Sequence, residues 1–187
     1  MVAVSIPPRS AWDQGDVVEE VYFPSVDAKI PGVLMMPACD LDLNKVFVWT
    51  FVALFPDLEV ARDVMRRELE GWRLAPDHEG RFQVSSGQRD QIRKRLKDLL
   101  RNRYPRYHWL PVAIGAQPAH VADFSQVTSL PVEETRGSRR VCSLISSWRE
   151  EVQARYAAYM GRVGTEDHRD EELTEHVDRL IADSSLL

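Results

Sequence analysis

The chain has 187 residues, 44% of them apolar and 28% charged, with a net charge of −5. That suffices for one packed domain and excludes both wholesale disorder and a nucleic-acid polycation. No apolar run approaches the roughly 18 residues of a membrane span, and the first residues lack the basic and apolar regions of a secretory signal, so a soluble, cytoplasmic protein without membrane contact is expected.

Residues 1–11 carry Ile6-Pro7-Pro8 and read as an extended arm, because proline keeps itself and its predecessor out of the helical region. A single domain is expected over 12–164. Gly15-Asp16 opens a β-branched run at 17–23 that Pro24 stops; 25–30 read as a loop, and Val33-Leu34-Met35-Met36 as a short strand. Residues 40–44 supply turn chemistry, and 46–54, β-branched and aromatic throughout, are the strongest strand signal. Asp57 reads as the N-cap of a helix to 72. A loop at 75–88 precedes a second helix, 89–104, with the apolar stripe Ile92, Leu96, Leu99 and Leu100. Strands follow at 107–112, 121–130 and 141–145. Ser147 and Glu150 have the spacing of a capping box and open a helix ending at Gly161 or Gly164. A last, acidic helix is expected within 165–187, with Leu173, Val177, Leu180 and Ile181 on one side. The order describes an α+β fold, a small antiparallel barrel or sheet with a two-helix insertion at about 57–104 and C-terminal helices.

Charge is unevenly placed. Residues 89–106 hold eight Arg or Lys against two Asp, whereas 165–187 hold two Arg against eight Asp or Glu. An apolar stripe alone suffices to hold a helix in place, so the basic excess marks Arg93, Arg95, Arg101 and Arg103 as a candidate partner-binding face. An acidic protein is the first candidate partner. RNA is the second, with Tyr104 and Tyr107 as possible stacking groups. A solvated helix face, or docking on the chain's own acidic segment, is the bland alternative.

Reaction chemistry is sparse. The two cysteines, Cys39 and Cys142, make neither a disulfide framework nor a four-ligand zinc site. Cys39-Asp40 follows a strand, where functional side chains often lie. A reactive thiolate there would need a cation or imidazole, with His108 or His120 the candidates; otherwise Cys39 is a small buried residue beside a turn-capping aspartate. The histidines at 78, 108, 120, 168 and 176 have no metal-ligand spacing, and His108 should point away from Tyr107 and Trp109. Glu19 and Glu20, as strand neighbours, should face opposite ways. No phosphate loop or nucleophile elbow is present. No catalytic residue, metal or cofactor is expected.

Gly15-Asp16-Val17-Val18, Tyr22-Phe23-Pro24 and Pro31-Gly32-Val33-Leu34-Met35-Met36 together resemble the opening of the MazF/PemK-like family. The resemblance covers roughly residues 15–54 and implies an SH3-like antiparallel barrel. That family's RNA cleavage is attributed to an Arg before the Pro and a Ser or Thr closing the next strand. Those positions fall here on Ile30 and Met36, neither of which can donate a proton, and the neighbouring Lys29 lies one residue out of register, on the other face. The resemblance therefore implies a non-catalytic interaction module, an accessory of a bacterial conflict system in toxin–antitoxin or antiviral defence, CRISPR-associated systems included. The alternatives are an RNA-cleaving toxin with displaced catalytic residues and an RNA-binding adaptor. Elsewhere Ala38-Cys39-Asp40, His108-Trp109-Leu110-Pro111 and Val121-Ala122-Asp123-Phe124 resemble a bacterial family with no established chemistry.

Overall fold

Runs of β-branched and aromatic residues, punctuated by Pro, Gly and Asp, fold into one antiparallel sheet in the computed structural model, which describes residues 4–42, 46–78 and 80–161. Its strands are β1 (Ser5–Ile6), β2 (Asp16–Phe23), β3 (Ala28–Leu34), β4 (Val48–Pro56), β5 (Tyr107–Leu110), β6 (His120–Pro131) and β7 (Arg140–Leu144), in the spatial order β1-β7-β2-β3-β4-β6-β5. The sheet curls into a half-barrel whose edge strands β1 and β5 are not neighbours, so the fold is α+β with an open sheet. The helices are α1 (Ala38–Asp42), α2 (Asp57–Gly71), α3 (Ser86–Leu100), α4 (Val132–Arg136) and α5 (Ser146–Gly161). The acidic helix expected at 165–187 lies outside the described residues.

Several boundaries differ from the sequence reading, each for a local reason. The arm does not lie outside the domain: Val4 is buried, and Ser5 and Ile6 pair with Leu144 and Ser143 of β7. Residues 28–30 belong to β3, not to a loop. Pro31 within that strand has no N–H to give, and the ladder answers with a bulge at Glu19-Glu20 between the Val18↔Gly32 and Val21↔Ile30 pairs. The cap of α2 is Pro56, and Asp57 is its first residue. Ser85 and Gln88 form a reciprocal capping box at α3, so that helix begins three residues before the predicted 89. At α5 it is Ser146, not Ser147, that donates to Glu150, at 2.6 Å. Cys39 and Asp40 lie in the short helix α1.

Apolar alternation gives the sheet two buried faces. On one, Val17, Val33, Val52, Leu54, Phe124 and Leu144 pack with Val152 of α5, and Trp148, Tyr156 and Tyr159 of that helix complete the cluster. On the other, Val18, Phe23, Leu34, Trp49 and Phe51 pack with Trp12, Ile30 and Met36. A third cluster seats the helical insertion: Val60 and Val64 of α2 and Leu99 of α3 meet Tyr107 and Val121.

Two ion pairs, each with a buried carboxylate, brace the sheet. Asp16, wholly buried, accepts from the Asp13 N–H at 2.9 Å, from Arg140 at 3.1 Å and from the Ser143 hydroxyl. Arg140 also donates to the Ser10 and Ala11 carbonyls and covers the Trp12 ring at 4.6 Å, while Arg149 pairs with Asp13 at 2.7 Å. Gly15 precedes this hub at φ +82°, a conformation that favours glycine, and a Cβ there would stand a tight 3.1 Å from Arg149 Cγ. The Gly-Asp pair that carries the family resemblance thus has a structural role here. The second pair, Arg106–Asp123, sits where β6 slips three residues between its Val52↔Val127 and Ala53↔Asp123 pairings. Arg106 grips the carboxylate with two bonds, of 2.7 and 2.6 Å, and the Ser125 N–H and hydroxyl bind the same carboxylate.

Candidate partner-binding surface on the helical insertion

α2 and α3 run as an antiparallel pair between β4 and β5, held to the sheet by Val60, Val64 and Leu99. The four predicted arginines are all exposed, on or just beyond α3, but they do not act as one free set. Arg95 reaches across to Glu68 of α2 at 2.9 Å, and Gln91 binds the same carboxylate at 3.1 Å, so this part of the face ties the two helices together. Arg93 pairs with Asp90 at 3.0 Å and Arg103 with Asp98 at 3.1 Å. Arg101, together with Arg89, Lys94 and Lys97, has no ion-pair partner among the described residues. Exposed pairs contribute little to stability, so the paired arginines stay available for exchange while the four others carry unbalanced charge.

The leucine stripe is less complete than its spacing suggested. Leu99 is 1% exposed and Ile92 and Leu96 are half-buried, but Leu100 is 45% exposed. Across from it Leu58 of α2 is 51% exposed, and the two flank a groove of about 200 Å³ lined also by Asp57, Ala61, Leu96 and Leu99. Tyr104 and Tyr107 are not stacking platforms. Both pack into the third cluster, edge-on to each other at 6.3 Å, and burial raises both phenol pKa values.

The positions on which the expected resemblance would place catalysis carry no proton-donating side chain. Ile30 and Met36 are packed on the second cluster, and Lys29, on the opposite side of β3, is exposed beside a broad groove of about 610 Å³. The bulge in β2 cancels the alternation expected of Glu19 and Glu20: both line that groove with Lys29 and Glu134. Cys39 is exposed rather than buried, and its thiol donates weakly to Asp40 at 3.8 Å. Neither candidate histidine meets it. His120 is buried with Nδ1 2.9 Å from the Val112 carbonyl, and burial lowers its pKa against the opposing effect of that bond. His108 points away from Tyr107 and Trp109, as alternation requires, between Phe124 and Trp148 at ring distances of 6.4 and 6.2 Å. Neither of its nitrogens has a hydrogen-bond partner among the described residues, and burial, helped by Arg155, lowers its pKa to about 3. Among the described residues no three metal-binding side chains converge, and no helix is long and apolar enough to cross a membrane.

The sequence reading missed one concave site. A cleft of about 260 Å³ lies between the slipped part of β6 and α2, with Glu59, Asp63, Tyr107 and the Arg106–Asp123 pair among its walls. Both Asp123 oxygens are engaged, Asp63 pairs with Arg67 at 2.6 Å, and the bonds to Asp123 push the Arg106 guanidinium pKa upward against its burial. Chemically, Arg106, Asp123 and Asp63 are thus engaged with partners within the chain, beside the Tyr107 wall. The cleft's only sequence signal was Asp123 within the apolar stretch Val121–Phe124. No family model and no curated protein sequence matches the chain.

Proposed function

We propose that this chain is a non-catalytic protein-interaction module whose helical insertion captures an acidic partner. The observation that carries this reading is the quartet Arg89, Lys94, Lys97 and Arg101. These are exposed cations without carboxylate partners among the described residues, in a chain whose net charge is −5. Such charges act chiefly on association rate and salt dependence. The partly buried, aliphatic Ile30 and Met36, which cannot transfer a proton, support the non-catalytic part, and the packed Tyr104 and Tyr107 favour an acidic protein over RNA, because the basic helix is left without exposed rings. The MazF-like resemblance of residues 15–54 suggests the setting, an accessory role in bacterial conflict systems, CRISPR-associated ones included.

The test is binding of labelled poly-glutamate and of single-stranded RNA at low and high salt. Poly-glutamate binds the wild type at low salt and RNA stays intact. Lys97→Glu with Arg101→Glu weakens poly-glutamate binding by roughly 2- to 30-fold through the loss of two exposed contacts alone, at about 0.2–1 kcal/mol each, while the melting temperature holds. Tighter binding of RNA, or RNA cleavage that Lys29→Ala abolishes, would overturn the reading.

A further inference from the structure

The groove between α2 and α3 says more about the partner than the charges do. We infer that it is a docking slot for the apolar edge of an acidic amphipathic helix supplied by a partner protein, an assignment that rests on the interaction module proposed above. Five of the six residues lining the slot are apolar, namely Leu58, Ala61, Leu96, Leu99 and Leu100, and two of these, Leu58 and Leu100, are large side chains left about half exposed. Leu99, at 1% exposure, and the partly buried Leu96 secure α3 to the third cluster, and Leu100 is not part of that cluster.

The volume selects among occupants. About 200 Å³ is below the 300–1,000 Å³ of small-molecule sites, yet it accepts the aliphatic side chains of one helical turn. A β-strand is disfavoured because both walls are helices, whose backbone groups are spent internally, whereas an apolar helix edge with i, i+3, i+4 anchors fits such a slot. Charge sets the partner's polarity. Arg93 and Lys97 precede Leu100 by seven and three residues and so occupy the adjoining strip of α3, and Arg101 follows it at the helix end. The opposite rim has Asp57, whose carboxylate accepts from Trp109 Nε1 at 3.4 Å. A partner helix that buries leucines in the slot therefore presents carboxylates toward α3.

Fluorescence anisotropy on the full chain tests this with two synthetic helical peptides of one Glu-rich composition. One carries leucines at i, i+3, i+4 and i+7; the other has them spread around the helix. The striped peptide binds at least tenfold more tightly. Leu58→Ser with Leu100→Ser removes that advantage at low and high salt, whereas Lys97→Glu with Arg101→Glu weakens both peptides and does so mainly at low salt. Equal, salt-sensitive binding of the two peptides would overturn the slot and leave the interaction reading standing. Failure of both peptides to bind would overturn both. Tighter binding of the striped peptide to the full chain bearing Glu171→Gln, Glu172→Gln and Glu175→Gln would make the chain's own acidic segment the occupant and overturn the assignment to a partner.

Discussion

Replacing His108 by leucine removes two polar atoms from a place where no described residue compensates them. The ring is 0% exposed, between Phe124 and Trp148, and both nitrogens are unpaired among the described residues. An unsatisfied buried polar group costs about 1–3 kcal/mol, so even with some ring packing lost the variant should be as stable as the wild type at pH 7.5, or more stable by about 1 kcal/mol. The larger effect is in the pH dependence. Burial holds the folded-state pKa at about 3, whereas an unfolded histidine titrates near 6.5. Between those values the unfolded chain binds a proton that the folded one refuses, so stability is full above pH 6.5 and falls as the pH drops toward 3. From pH 7.5 to 4.5 this one site removes about 2.7 kcal/mol, two tenfold changes in proton affinity at about 1.4 kcal/mol each. Urea unfolding at the two pH values, on wild type and His108→Leu, measures it; His120 and the carboxylates titrate in both and cancel. Equal pH losses in the two proteins, or a leucine variant weaker by more than 2 kcal/mol at pH 7.5, would refute the reasoning.

Two further outcomes follow from buried and exposed groups elsewhere. Asp16→Ala strips the carboxylate from Arg140, which is itself only 16% exposed, and should cost about 3–5 kcal/mol in calorimetry; a loss under 1 kcal/mol would mean that Arg140 finds another partner at no cost. Maleimide should label exposed Cys39 in the native protein and reach Cys142, which is 8% exposed with its thiol pKa raised by burial, only on unfolding. Similar rates for both would contradict the placement of β7.

Most of the architecture was legible because its signals are local. The run at 46–54 could be little other than a strand, although the strand itself spans 48–56 with Phe47 exposed before it, and the Ile92–Leu96–Leu99 spacing fixes α3 whatever it packs against. What escaped depended on distant partners. Ser5-Ile6 reads as arm because its β partner, residues 143–144, lies far along the chain, and Lys29 reads as loop because the bulge that admits Pro31 sits in another strand. The candidate surface was half legible. The basic excess is plain in the composition of 89–106, but Arg95 belongs to Glu68 across a loop, and Leu100 protrudes although its spacing placed it in the buried stripe. Spacing gives the face of a helix, not the width of what covers it. Arg106 and Asp123 were invisible as a pair because a slip of three residues in β6 brings about their geometry.

The way α5 covers one face of the sheet has a bearing on synthesis. β2, β3 and β4 can pair as soon as they leave the ribosome, yet the side of them that bears Val17, Val33 and Val52 is covered by a helix beginning at Ser146. The strand at 140–144, which β1 and β2 both flank, also arrives late. Between the synthesis of β4 and that of α5 the chain therefore presents an uncovered apolar sheet with an unpaired edge, the configuration most prone to mispairing between neighbouring nascent chains. Completion of α5, more than the formation of any strand from β1 to β7, is the moment at which this sheet becomes safe from its own copies.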